Sequence, residues 1–306
     1  MALYGLLAFI VIVVMWPFVW ERRKKPASEE DRAQTSGDLV NLSQGITHYR
    51  WVGPVRGPVA VIVHGLTTPM VGVEGLAQSL GEMGYRVLVY DLYGRGLSDA
   101  PRGRQDRKFF LQQLVDLLSA LRLTEDITLV GYSMGGAIAS AFASDNPHYI
   151  KQLILVAPSG VVMTESRFSR FCRKTPILGD WVHAMFGRRH LRKAIPRKAE
   201  GKLPQAVYKA QRAELRKRGY VPAVLSSRRG MLSELQGQDH QRLSRVDIPT
   251  IAIWAENDDV VPIQALGVMA QWHRDVRQEV VPKAGHGVPY THPDELKVAL
   301  VKAMKI

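Results

Sequence analysis

The sequence predicts an α/β protein: a mostly parallel central sheet with helices on both faces, a helical lid inserted after the sixth strand, and one apolar helix ahead of the whole. Three observations predict it. Short apolar runs recur along the chain, with helical stretches between most of them: residues 59–63, 86–90, 127–130, 152–156, 250–254 and 279–281. Strands apolar on both faces belong to a parallel sheet covered on both sides. Gly131-Tyr132-Ser133-Met134-Gly135 stands between such a run and the small-residue run Gly136 to Ala141. It reads as strand, sharp turn and helix. Between Gly160 and about Val246 the alternation stops, and the chain turns helical, basic and aromatic until the sheet resumes at Ile248-Pro249-Thr250.

Taken in order, residues 1–20 carry no charged side chain and are followed by Arg22-Arg23-Lys24-Lys25. A helix of that length spans about 30 Å, close to the hydrocarbon thickness of a bilayer. A cleaved signal peptide begins with its basic residues and ends with small ones, whereas here the basic cluster follows and Trp16, Phe18 and Trp20 crowd the end. The segment reads as a membrane anchor, with an interfacial helix or a signal sequence as the alternatives, and for an anchor the basic flank places the rest of the chain on the cytosolic side. Pro17 either kinks this helix or marks the end of its apolar part. Residues 21–37 are a basic flank and polar linker without apolar period. Asp38–Leu42 and Ile46–Val52, joined through Ser43-Gln44-Gly45, predict a hairpin. Residues 38–159 then form the first part of the α/β core, 160–246 the lid, and 247–306 the second part, closed by a helix over 293–305.

The 306 residues, 46% of them hydrophobic, suffice for one large domain with an insertion. Cys172 is alone, which excludes an internal disulfide and favours a reducing compartment. The net charge of +13 is concentrated: residues 161–230 hold 18 Lys and Arg against four acids, and the remainder is near neutral. On an anchored protein such a basic lid points to anionic lipid rather than to nucleic acid. Its segment Ile177 to Phe186 places apolar groups at helical spacing, suited either to covering a cleft or to packing on the core.

The G-x-S-x-G turn is a nucleophile elbow that presents the Ser133 hydroxyl at the top of the sheet, and it predicts three partners in order. His64-Gly65-Leu66-Thr67 follows the run 59–63. The Leu66 amide in this loop and the Met134 amide after the nucleophile form an oxyanion hole, with His64 fixing the loop. An acid is expected after the run 250–254, in Glu256-Asn257-Asp258-Asp259-Val260-Val261-Pro262. Asp258 and Asp259 compete there, and the spacing to Val261-Pro262 favours Asp258. The loop after the sixth strand, 157–160, offers no carboxylate. A histidine is expected after the last strand, and His286 stands there between two glycines. His292 is an N-cap neighbour of the last helix, and Asp91 and Asp99 are structural carboxylates paired with Arg95. The expected chemistry is hydrolysis of a carboxylic ester by Ser133, His286 and Asp258, with no metal or organic cofactor.

The segments VIVHGLT, YDLYGRGLSDAP, LVGYSMGG, WAENDDVVP and KAGHG resemble the α/β-hydrolase superfamily from about Leu39 to the C-terminus, apart from the lid. With an anchor and an inserted lid, the layout is similar to membrane-bound monoacylglycerol lipases and lysophospholipase-like serine hydrolases. The resemblance implies the α/β-hydrolase fold, nucleophile Ser133, acid Asp258, base His286 and oxyanion donors Leu66 and Met134. It also implies an ester or lipid substrate, argues through serine rather than aspartate at 133 against dehalogenase and epoxide-hydrolase chemistry, and leaves small-ester carboxylesterase, thioesterase and carbon–carbon bond hydrolase as alternatives on the same residues, with a non-catalytic membrane-tethered binding protein behind them. The chain departs from the pattern at Ala255, where many relatives carry glycine, and at Tyr132, where lipases often carry histidine.

Overall fold

The computed structural model describes residues 1–195 and 204–304, so 196–203 of the expected lid and Lys305 of the expected last helix lie outside the described residues. The chain opens with helix α1 (Ala2–Arg23) and a short helix α2 (Glu29–Ala33) inside the stretch expected to be linker. That turn forms because Ser28 and Asp31 cap it reciprocally, each side chain accepting the other's amide.

The core follows as β1 (Asp38–Leu42), β2 (Gly45–Val52), β3 (Val59–Val63), α3 (Glu74–Glu82), β4 (Arg86–Tyr90), α4 (Arg107–Ala120), β5 (Ile127–Tyr132), α5 (Met134–Asp145) and β6 (Ile150–Val156). Between β6 and the next strand lie α6 (Arg167–Lys174), α7 (Leu178–Lys193), α8 (Gln205–Glu214), α9 (Tyr220–Arg229) and α10 (Gly237–Leu243). The core resumes with β7 (Thr250–Ala255), α11 (Ala265–Trp272), β8 (Arg277–Val281), α12 (Val288–Thr291) and α13 (Pro293–Met304). The eight strands form one sheet in the order β1-β2-β4-β3-β5-β6-β7-β8. β1, β2 and β4 pair antiparallel and all other neighbours parallel, so the expected hairpin is an antiparallel edge on a parallel sheet. β5 and β7 are buried at every position, whereas the edge strand β1 is mostly exposed. Apolar clusters lie on both faces, one around Phe110, Leu114, Phe142 and Trp254, the other around Ile62, Leu76, Val89 and Ile154. Strand order reverses at β3, which β4 and β5 flank, and ligands of open α/β sheets bind beyond the carboxyl ends of strands at such a point.

α1 is long and apolar enough to cross a membrane, and its outer surface is bare. It meets the rest of the chain along one stripe, Val13, Pro17 and Glu21, spaced four apart. The helix runs through Pro17 to Arg23, so the proline does not end it. Pro17 has no amide proton to give the Val13 carbonyl one turn earlier. The Trp181 indole of α7 donates to that carbonyl at 3.3 Å. Glu21 accepts the Gly219 amide ahead of α9 at 2.8 Å, and the Lys25 carbonyl accepts the Arg218 amide. The apolar start of α7 therefore lies beside α1 and does not cover the cleft, with Ile177, Leu178 and Phe186 exposed. The C-terminal end of α7 reaches the cleft instead, through His190, Leu191 and Ala194.

Three buried histidines set the expected acid response. Burial pushes His64 and His183 each down to about 4 and His240 to about 3, against an ordinary value of 6.5. As pH falls from about 6.5 toward 4, the unfolded chain takes up protons that the native one refuses. Their stabilising contribution is complete above the unfolded value and is lost through that window. Glu214, whose carboxyl burial pushes up, works in the opposite sense. The expected result is a Tm nearly constant from about pH 8 to 7 and falling steeply below about 6.5. Calorimetric scans at several pH values check it, and a flat Tm down to about pH 5 contradicts it.

Candidate active site

The elbow between β5 and α5 holds Ser133 at φ 55° and ψ −119°, a left-handed conformation unusual for a residue with a side chain. Such strain costs about 1–3 kcal/mol and persists because neighbours enforce it. The enforcement is visible in the two glycines of the motif. A side chain at Gly131 would strike the Gly135 and Gly136 backbone, and one at Gly135 would strike the Val63 carbonyl at the end of β3. The Ser133 amide donates to Val156 O at 3.0 Å, and its carbonyl accepts from Gly136 and Ser159.

Ser133 Oγ lies 2.8 Å from His286 Nε2, and His286 Nδ1 lies 2.8 Å from Asp258 Oδ2. The loop after β8 brings the imidazole there, and the loop after β7 brings the carboxylate. Asp258 is buried, and its second oxygen accepts the Val260 and Val261 amides at 2.8 and 2.7 Å. A carboxylate held this way accepts the Nδ1 proton, which leaves Nε2 facing the hydroxyl. Asp259, the alternative at the sequence level, is exposed at the rim of the cleft. Met134 is the first residue of α5, where the amide has no intrahelical acceptor. Leu66 follows β3, and among the described residues its amide makes no hydrogen bond. Gly65 packs against Ser133, with an added Cβ falling 3.2 Å from that of Ser133. Among the described residues no cluster of His, Cys, Asp or Glu suits a metal ion.

His64 is locked between two backbone groups: Nδ1 donates to Gly65 O at 2.8 Å and Nε2 accepts the Leu92 amide at 2.9 Å. Asp91 and Asp99 are structural as expected, but neither pairs with Arg95. Asp91 binds His48 at 2.8 Å and the Met70 and Leu97 amides, and Asp99 binds Arg32 and the Ile46 amide. Arg95 is buried and spends its guanidinium on the Leu66 and Tyr93 carbonyls, Gln105 and Ser227. The reason is geometric. The Asp91 carboxylate packs against Gly96, where its oxygens are taken up by His48 and the Met70 and Leu97 amides.

Several residues at the site went unassigned at the sequence level. Tyr132 donates its hydroxyl to the His286 carbonyl at 2.7 Å, so the departure from the lipase pattern holds the histidine loop. Burial raises its phenol far above the usual range, which keeps it a donor. Ser159 Oγ lies 3.4 Å from Ser133 Oγ. Tyr220 donates to Thr67 O at 2.9 Å, and Gln211 donates to Thr68 Oγ1 at 2.9 Å, tying the helices between β6 and β7 to the loop after β3. The position of Tyr132 inside the elbow was a signal for its role; nothing local marked the lid residues, which lie more than 140 positions from their partners.

These groups border a cleft of about 460 Å³ lined by Ser133, Leu66 and His286 and by residues of the lid. Residues 55–290 match the family model described as serine aminopeptidase, S33. The chain belongs to this α/β-hydrolase family. Epoxide hydrolase 3 from Xenopus tropicalis is 26% identical to this α/β-hydrolase over 299 residues, covering 91% of this chain and 81% of that protein. The pimeloyl-(acyl-carrier protein) methyl ester esterase of Aeromonas hydrophila is 26% identical over 259 residues, covering 78% of this chain and 92% of that protein. Among solved structures, one described as a membrane phospholipase A superimposes with a TM-score of 0.72 at 18% identity, covering 99% of this chain and 96% of that one. The α/β-hydrolase fold and an enzyme of the hydrolase class follow from these likenesses.

Proposed function

We propose that this α/β-hydrolase is a membrane-anchored serine hydrolase that cleaves carboxylic esters, lipid-like ones of the monoacylglycerol or lysophospholipid type, through an acyl-enzyme. The observation that carries the reading is the continuous chain of hydrogen-bond distances from Ser133 Oγ through His286 to Asp258, 2.8 Å at each step. In this mechanism His286 Nε2 takes the Ser133 proton as Oγ attacks the ester carbonyl. Asp258 holds the ring and stabilises the imidazolium. The oxyanion rests on the Leu66 and Met134 amides, each such donor contributing about 2.7–4 kcal/mol to transition-state stabilisation. The imidazolium protonates the leaving alcohol, and a water activated by His286 releases the acyl group and restores Ser133.

The membrane part of the proposal is supported by α1. The membrane phospholipase A aligns over 99% of this chain, a share that takes in the N-terminal helix. Arg188, Arg189, Arg192 and Lys193 are exposed on α7, and bases near the cytoplasmic leaflet are attracted by about 1 kcal/mol each. Epoxide hydrolysis, suggested by one relative, is disfavoured by serine rather than aspartate at 133.

The test is a hydrolysis panel on detergent-solubilised full-length protein, comparing p-nitrophenyl esters from acetate to palmitate with monoacylglycerols, a lysophospholipid and an aminoacyl nitroanilide. Preference for medium or long chains and for the glycerides is expected. Preference for acetate with glycerides untouched would make it a small-ester carboxylesterase, and preference for the anilide a peptidase.

A further inference from the structure

We propose that the cleft beside Ser133 binds an oxyanion carried by the substrate, a phosphate or a carboxylate, on the guanidinium of Arg228, which thereby selects anionic amphiphilic esters over neutral ones. The proposal rests on the hydrolase reading above and names its substrate class.

Arg228 stands near the end of α9 and lines the same cavity as Ser133 and His286. Four other charged groups line that cavity. Glu165 is committed to Arg173, whose Nη2 and Nε reach its two oxygens at 2.6 and 3.0 Å. Glu234 and Asp259 are exposed at the rim, where water screens them. His190, which also lines it, is pushed down by burial and by the charges of Arg228 and Lys193, which keeps it neutral. Among the described residues Arg228 makes no hydrogen bond and no ion pair. Its neighbour Arg229 shows the contrast, giving its guanidinium to Asp180 at 2.5 Å and to the Cys172 carbonyl at 2.6 Å.

Burial depresses the Arg228 pKa, and the nearby Glu165 carboxylate, already hydrogen-bonded to Arg173, offsets that cost only in part. An anion entering the cleft removes that cost and gains a charge-assisted, bidentate contact. The apolar remainder of the wall, with Leu66, Val162, Leu191 and Leu232, suits an acyl chain. The occupant that uses both is an amphiphile whose ester lies near Ser133 and whose anion lies on Arg228.

Three esters with one lauroyl chain test this on the full-length protein in nonionic detergent: lauroylglycerol, lauroylglycerol 3-phosphate and lauroyl lactate. The wild type is expected to favour one or both anionic esters over the neutral one by tenfold or more in kcat/KM. In Arg228→Gln that ratio falls tenfold or more, chiefly through KM, and Arg228→Lys restores part of it. The two anionic arms separate a phosphate-bearing lipid from a carboxylate. A wild type without the preference, or an Arg228→Gln protein that keeps it, overturns the proposal while leaving the hydrolase reading intact. Should Arg228→Gln fail to fold, or no ester be cleaved, binding of lauryl phosphate and lauryl alcohol to full-length Ser133→Ala decides. Tighter binding of the phosphate by tenfold or more supports an anion site, and equal binding overturns it.

Discussion

Replacing Ser133 with alanine is expected to abolish ester hydrolysis, with kcat falling by about 10⁶-fold, the scale measured when a triad nucleophile is removed from a serine protease. His286→Ala is expected to cost nearly as much, and the double variant no more than either single one, because proton transfer and attack are one event. Asp258→Asn leaves the shape intact but favours the wrong imidazole tautomer, and a loss of about 10⁴-fold is expected. The basis is the unbroken chain Ser133 Oγ, His286, Asp258, with both oxygens of Asp258 engaged. Rates on p-nitrophenyl butyrate, with fluorophosphonate labelling of the wild type and of Ser133→Ala, check it. A Ser133→Ala protein within tenfold of the wild type would remove this residue from the chemistry.

Arg95→Ala is expected to be the most damaging substitution outside Ser133, His286 and Asp258. Arg95 is almost fully buried and gives hydrogen bonds to Leu66 O at 3.1 Å, Tyr93 O at 2.8 Å, Gln105 Oε1 at 2.5 Å and Ser227 Oγ at 2.7 Å. It joins the oxyanion loop, the loop after β4 and lid helix α9 in one network. Glu214 lies buried close by, bonded to Lys217 and the Gly96 amide, and supplies part of the counter-charge. Removing one partner of such a network strands the others, at about 3–5 kcal/mol. For a chain of this size that corresponds to a Tm lower by roughly 10 °C. Arg95→Lys should recover little, because one ammonium cannot replace a planar fork reaching four acceptors. Since Leu66 carries an expected oxyanion donor and its own carbonyl is held by Arg95, kcat is expected to fall about tenfold even where the variant folds. A Tm within about 2 °C of the wild type would show that the network contributes little.

The local parts of this protein were legible because their physics is local. Two-faced apolar runs form central strands, since no other short element buries both faces, and the elbow reads from Gly131 and Gly135 because only glycine leaves room there. The order of Ser133, Asp258 and His286 along the chain followed from the strands that present them. What misled was the assignment of partners across distance. Arg95 and Asp91 sit close in sequence and invite pairing, yet each turns to groups far away, Ser227 and His48. The stretch at Ile177 to Phe186 read as cleft cover or core packing because its periodicity records an apolar face without recording what meets it.

The sequence by itself determined the α/β class, the strands that deliver the polar residues of the site, and an N-terminal helix apolar enough for a bilayer, because composition and two short periodicities dictate these. Only the tertiary structure decided that Trp181 meets the carbonyl left free by Pro17, that Tyr132 holds the His286 loop, that Tyr220 holds Thr67, and that Arg228 lines the same cleft as Ser133. Those contacts join residues up to about 170 positions apart. Their energy depends on angles and distances that exist once the helices between β6 and β7 have packed, and no local pattern in the chain encodes them.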